Sequence, residues 1–109
     1  MPGSAANPAF PTAKTAGRKT IAVTTVSEAL GLVSDAYSEV IIKALSTNTG
    51  LVYVKPDGTA GQDYTGTGYP LSPGEVVVLP VKRDLSEIVI DTATNNNVVA
   101  YLAIQTEAR

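Results

Sequence analysis

The chain has 109 residues, 44% of them apolar and 6% aromatic, with a formal net charge of −2 and neither cysteine nor histidine. This length fits one domain with a modest core, and the charge weighs against binding driven by phosphate neutralisation. Without cysteine there are no disulfides, thiolate metal sites or cysteine nucleophiles; without histidine, Ser-His and Cys-His pairs are excluded and the commonest zinc ligand is missing.

The opening residues, "MPGSAANPAFPTAK", hold no apolar run of signal-peptide length, and no later segment approaches a membrane span. The chain is therefore expected to be made in the cytoplasm and to need no membrane. Residues 1–17 carry Pro2, Pro8 and Pro11 and a single charged side chain, Lys14, and they show neither helical nor strand periodicity. Proline removes backbone donors and favours extended geometry. The segment reads as an extended N-terminal arm with Phe10 as its anchor, although a terminal tail has the same composition.

From residue 18 onward the pattern is β. "KTIAVTTV" (Lys19–Val26) is rich in β-branched residues and alternates Ile21 and Val23 against polar or small neighbours. "SEALGLVSDA" (Ser27–Ala36) is ambiguous: Ser27 and Leu30 could open a helical turn, whereas Gly31 and Ser34 argue for a bent strand or loop. "YSEVIIKALS" (Tyr37–Ser46) is a strand with Val40, Ile42 and Ala44 on one face and Ile41, Lys43 and Leu45 on the other. "TNTG" (Thr47–Gly50) is turn chemistry, and "LVYVK" (Leu51–Lys55) returns from it, which predicts a hairpin. "PDG" closes that strand, and the Gly-rich loop "TAGQDYTGTGY" (Thr59–Tyr69) follows.

In "GYPLSPGEVVVLPV" (Gly68–Val81), prolines stiffen a corner, Gly74 permits the reversal, and Val76–Leu79 are expected to enter the core. "LSEIVID" (Leu85–Asp91) reads as a strand with Ile88 and Ile90 inward and Glu87 and Asp91 outward. "VVAYLAI" (Val98–Ile104) is the last strand. Six to eight short strands with turns at this spacing predict an all-β fold, a small antiparallel β-sandwich that is jelly-roll-like or Ig-like. The arm would occupy residues 1–17 and the sandwich residues 18–109. An eight-stranded jelly roll requires both the ambiguous segment and the Gly-rich loop to contribute strands.

Few residues carry chemistry. Glu75, Glu87 and Asp91 are the carboxylate set, but Glu87 and Asp91 on one strand would lie ~13 Å apart, too far for a glycosidase pair. Asp57, Asp63, Asp91 and Asn95–Asn97 have calcium-type side chains but no twelve-residue loop pattern. "GTGYPLSPG" lacks the lysine and the following helix of a phosphate loop. Tyr64 and Tyr69 in the Gly-rich loop suit contact with a flat partner or a sugar ring. No catalytic, cofactor-binding or metal-ligating residue is expected.

Four stretches resemble a type of small β-domain found in structural proteins of tailed bacteriophages: "VIIKALSTNTGLVYV", "GYPLSPGEVVVLPV", "LSEIVID" and "VVAYLAI". They span rather more than half of the chain and are specific to a scaffold, not to one role. Where the family's pattern has Val-Tyr-Val-Gly, this chain has "VYVKPDG", and the arm lies outside the resemblance. The resemblance implies binding without catalysis, on the outside of a virion capsid. It suggests a decoration (cement) protein that binds the major capsid protein and neighbouring copies of itself, for which a homotrimer is one arrangement that suits capsid local symmetry; the net charge weighs against a nucleic acid partner. A head-fibre base or a tail-associated module that binds host glycans is the alternative. The expected contacts are Pro8, Phe10, Pro11, Lys14 and Arg18 in or beside the arm, and Tyr64 and Tyr69 in the loop.

Overall fold

The computed structural model describes residues 10–31, 39–79 and 85–107. It is all-β. In chain order the strands are β1 (Phe10–Ile21), β2 (Glu28–Ala29), β3 (Glu39–Ala44), β4 (Val52–Lys55), β5 (Tyr69–Leu71), β6 (Val76–Leu79), β7 (Val89–Thr92) and β8 (Asn97–Glu107). They form two antiparallel four-stranded sheets packed together. Sheet A has the order β1-β8-β3-β6 and sheet B the order β2-β7-β4-β5.

The pairing follows one rule. β1 pairs with β8, β2 with β7, β3 with β6 and β4 with β5, as in a single long hairpin. Rolling that hairpin up adds the pairs β3–β8 and β4–β7. This is the strand order of an eight-stranded jelly roll: the ambiguous segment supplies β2, whereas β5 takes only Tyr69 from the Gly-rich loop and its other residues from the corner that follows.

The alternation in β3 holds. Val40, Ile42 and Ala44 are buried and face the other sheet. They meet Val52 and Val54 of β4, Leu71 of β5, Ile88 and Ile90 beside and in β7, and Val99 and Ala103 of β8, with Ile21 and Leu30 closing one side. Each of the larger aliphatic chains contributes about 1.5–3 kcal/mol by leaving water. At the same side Lys19 and Glu28 form an ion pair of 3.0 Å between the edge strands β1 and β2. Both side chains are one-third exposed, so the pair closes the sandwich more than it stabilises it.

Several expectations are corrected. β3 and β4 do not form a hairpin: "TNTG" carries the chain from sheet A to sheet B. The strand expected over Lys19–Val26 ends at Ile21, and Val23 and Val26 are exposed on a loop. Leu85–Glu87 is a 3-10 turn, so β7 begins only at Val89. Val76 and Val78 do not enter the core; they point outward on the edge strand β6, while Val77 and Leu79 pack against it. Pro80 to Asp84 lie outside the described residues. The expected boundary between arm and domain falls inside β1, whose residues 10–17 pair with the far half of β8.

The corner at Ser72–Glu75 has a simple physical form. Glu75 N–H donates to Ser72 O at 2.9 Å, Pro73 and Gly74 occupy the middle, and Gly74 has φ +90°. That is a type II turn, whose third position favours glycine. The Glu75 carboxylate accepts the Ser72 N–H at 2.7 Å, and Gly74 N–H donates to Ala44 O at 2.8 Å, which fastens the corner to β3.

Candidate functional site

The described polar side chains that are most deeply buried hold loops. Asp91 lies on the outer face of β7, as the alternation requires, yet it is fully buried rather than solvated. Its Oδ1 accepts the N–H groups of Thr25 at 3.0 Å and Thr92 at 2.8 Å, and its Oδ2 accepts that of Tyr64 at 2.7 Å. Two loops, residues 22–27 and 58–68, are thereby pinned over sheet B. Ser27 N–H to Gln62 O and Gly61 N–H to Ser27 O tie those loops to each other. Thr25 has φ +67°, an unfavourable conformation for a β-branched residue that this set of bonds sustains.

The Gly-rich loop lies flat against the sheet because two of its positions have no side chain. A Cβ on Gly68 would stand 2.8 Å from Tyr53 Cβ, and one on Gly58 would stand 3.1 Å from Val89 Cβ. The Tyr64 hydroxyl accepts the Thr59 N–H at 2.8 Å, so this half-buried ring braces its own loop. Tyr69, by contrast, is 59% exposed.

A second polar cluster joins the turns after β3 and β7. Buried Asn97 accepts the Thr49 N–H at 3.0 Å through Oδ1 and donates through Nδ2 to the hydroxyls of Thr92 and Thr94. Asn48 exchanges two bonds with the backbone of Val98, 2.9 Å and 2.8 Å, as a neighbouring strand would. The asparagines and aspartates considered as calcium ligands are thus largely engaged. Asp57 lies 3.7 Å from Lys55 Nζ. Exposed Asp63 accepts the hydroxyl and amide of Thr65, which hold its carboxyl below the usual aspartate value.

The residues expected to meet a partner fall into two separate groups. Phe10 and Pro11 open β1, opposite Glu107 and Thr106, and Lys14 sits at a β-bulge between Ala13 and Thr15. Arg18 is exposed opposite Ala100. Pro8 lies outside the described residues. β1 forms the edge of sheet A next to β2, whereas Tyr69 stands on β5, the edge of sheet B away from β2. The fold does not bring the two groups together.

Not expected from the sequence is the outer face of sheet A. Val76 and Val78 are exposed there, and a shallow open hollow of about 150 Å³ lies among Ile41, Lys43, Ala100 and Leu102, while the side chain of Tyr101, between the last two in sequence, packs against the core. What the geometry defines is an eight-stranded jelly roll with one outer face covered by its own loops, the other carrying an apolar row flanked by charged residues, and a long edge strand. No family model matches the chain, nor does any curated protein or solved structure.

Proposed function

We propose that the chain is a virion structural protein without enzymatic activity, a decoration protein that binds the major capsid protein from outside and stabilises the shell. The observation that carries this reading is β1. It is twelve residues long and, among the described residues, paired only on the side of β8, so one long row of backbone donors and acceptors faces outward. The other three edges are β2, β5 and β6, of two to four residues each. An open edge of that length is suited to taking up an extended partner segment. It carries Lys14 and Arg18 and continues the N-terminal segment expected to lie on a partner. The likeness to phage structural domains in the corner and strand motifs supplies the choice of partner. Repeated copies on a lattice make modest single contacts sufficient.

The test is co-sedimentation with empty shells of whichever major capsid protein is encoded nearest to this chain. The full chain is compared with one lacking residues 1–9, which leaves β1 whole, and with Arg18→Glu. Saturable binding weakened by both changes supports the reading, and the absence of binding by the full chain removes it.

A second reading rests on exposed Tyr69: a head-fibre base or tail-associated module that takes a host glycan. Selective binding on a glycan array, lost in Tyr69→Ala, would favour it over decoration.

A further inference from the structure

The chain treats the two outer faces of its sandwich differently. Sheet B is covered by the loops that Asp91 holds. Among the described residues nothing comparable covers sheet A, and its outer face is arranged in rows set by strand register. Ile41 stands beside Val78 on one side and Leu102 on the other, with Ala16 beyond Leu102. The next row holds Val76, Lys43, Ala100 and Arg18. On the opposite side of the Ile41 row, Glu39 stands beside Ile104. Val76 and Val78 are 52% and 45% exposed, unusual for valines on a regular strand.

We propose that this face is the interface of a two-fold dimer, occupied by a second copy of the same chain laid face to face. The reason is its antisymmetry about the Ile41 row. A two-fold axis that crosses the strands along that row places each strand over its own copy, running the opposite way. Glu39 and Lys43 lie two residues either side of Ile41, so each Glu39 meets Lys43 of the second copy, and the pair forms twice. Ala100 and Ile104 lie two residues either side of Leu102. Each Ile104 therefore lies over the hollow beside Ala100 of the second copy, large against small. The row on the axis, Ala16, Leu102, Ile41 and Val78, is wholly apolar.

Self-complementarity of this kind is what a two-fold interface requires. Stacked sheets sit about 10 Å apart at an angle near −30°, a rotation that keeps residues so close to the axis in register. A face roughly 20 Å across is at the small end of specific interfaces, so association should depend on concentration. The free edge of β1 stays open in this arrangement. The proposal stands whether or not the virion reading holds.

Sedimentation velocity of the full chain over a wide concentration range tests it, with Glu39→Lys, Lys43→Glu, the double exchange and Leu102→Asp beside the unaltered chain. Thermal melts check that each variant folds. The expected results are a monomer–dimer equilibrium, about tenfold weaker association in either single charge variant, recovery in the double exchange, and a folded monomer for Leu102→Asp. A chain that stays monomeric, one that forms trimers, or a dimer indifferent to both single charge changes would overturn the proposal. So would a double exchange that fails to recover association while remaining folded.

Discussion

Asp91 and Tyr64 are joined across the outer face of sheet B: the Asp91 carboxylate accepts the Tyr64 amide at 2.7 Å while its other oxygen holds the amides of Thr25 and Thr92. One side chain therefore keeps two loops, distant from each other in sequence, seated on β7. Asp91→Asn keeps the shape but replaces one acceptor oxygen with a donor group that faces an N–H. The expected cost is about 2–3 kcal/mol in urea unfolding, because a buried N–H loses its acceptor. Hydrogen exchange should quicken at Tyr64 or Thr25, while the amides of β3 and β8 change only by the global loss.

The seating of the loop is also steric. Gly68→Ala sets a Cβ against Tyr53 Cβ and near the backbone oxygen of Tyr64, neither of which is the end of a flexible chain. We expect a loss of about 1–3 kcal/mol from overpacking. Gly66→Ala, whose Cβ would meet nothing, should be close to neutral in the same measurement.

At the corner the constraint is backbone alone. A Cβ on Gly74 meets no atom, but its φ is +90°. Gly74→Ala should destabilise by about 1 kcal/mol, and Gly74→Asn by less, because asparagine tolerates positive φ better. If the two variants melt together, the strain assigned to this turn is absent.

Asp63 gives a pH dependence. Its folded carboxyl titrates below the ordinary aspartate value because Thr65 donates two hydrogen bonds to the charged form, the hydroxyl bond being the larger cause. Stabilisation of this turn is therefore complete above the unfolded pKa and is lost as pH falls through the lowered folded one. An NMR titration should show the Thr65 amide shift following the Asp63 carboxyl, with a midpoint below that of an unstructured aspartate. Thr65→Ala should raise that midpoint.

The sequence is most legible where one face of a strand is dry and the other wet. Val40, Ile42 and Ala44 alternate with Ile41 and Lys43, and the burial follows. Pro73-Gly74 is equally plain because a type II turn has a local cause. Alternation cannot say what covers an outward position, which is why Asp91 read as solvated: its partner Thr25 is 66 residues away. "VVVL" has no alternation at all, so a four-residue edge strand with two exposed valines looked like buried core. β1 was hidden for a related reason. Its first residues, which include Pro11 and Gly17 and show no strand alternation, become a strand only because β8, at the other end of the chain, is there to pair with them. The sheet change after "TNTG" is likewise invisible locally, since a tight turn and a sheet-to-sheet crossing use the same residue types.

The proposed function requires that this jelly roll bind a repeating protein surface. The most direct measurement is the stoichiometry at which shells of the major capsid protein become saturated with the full chain, read by co-sedimentation and densitometry. The proposed function requires a plateau at one fixed ratio of chain to capsid subunit, together with a rise in the shell's melting temperature. Binding that never saturates, or a plateau that leaves the melting temperature of the shell unchanged, would contradict it.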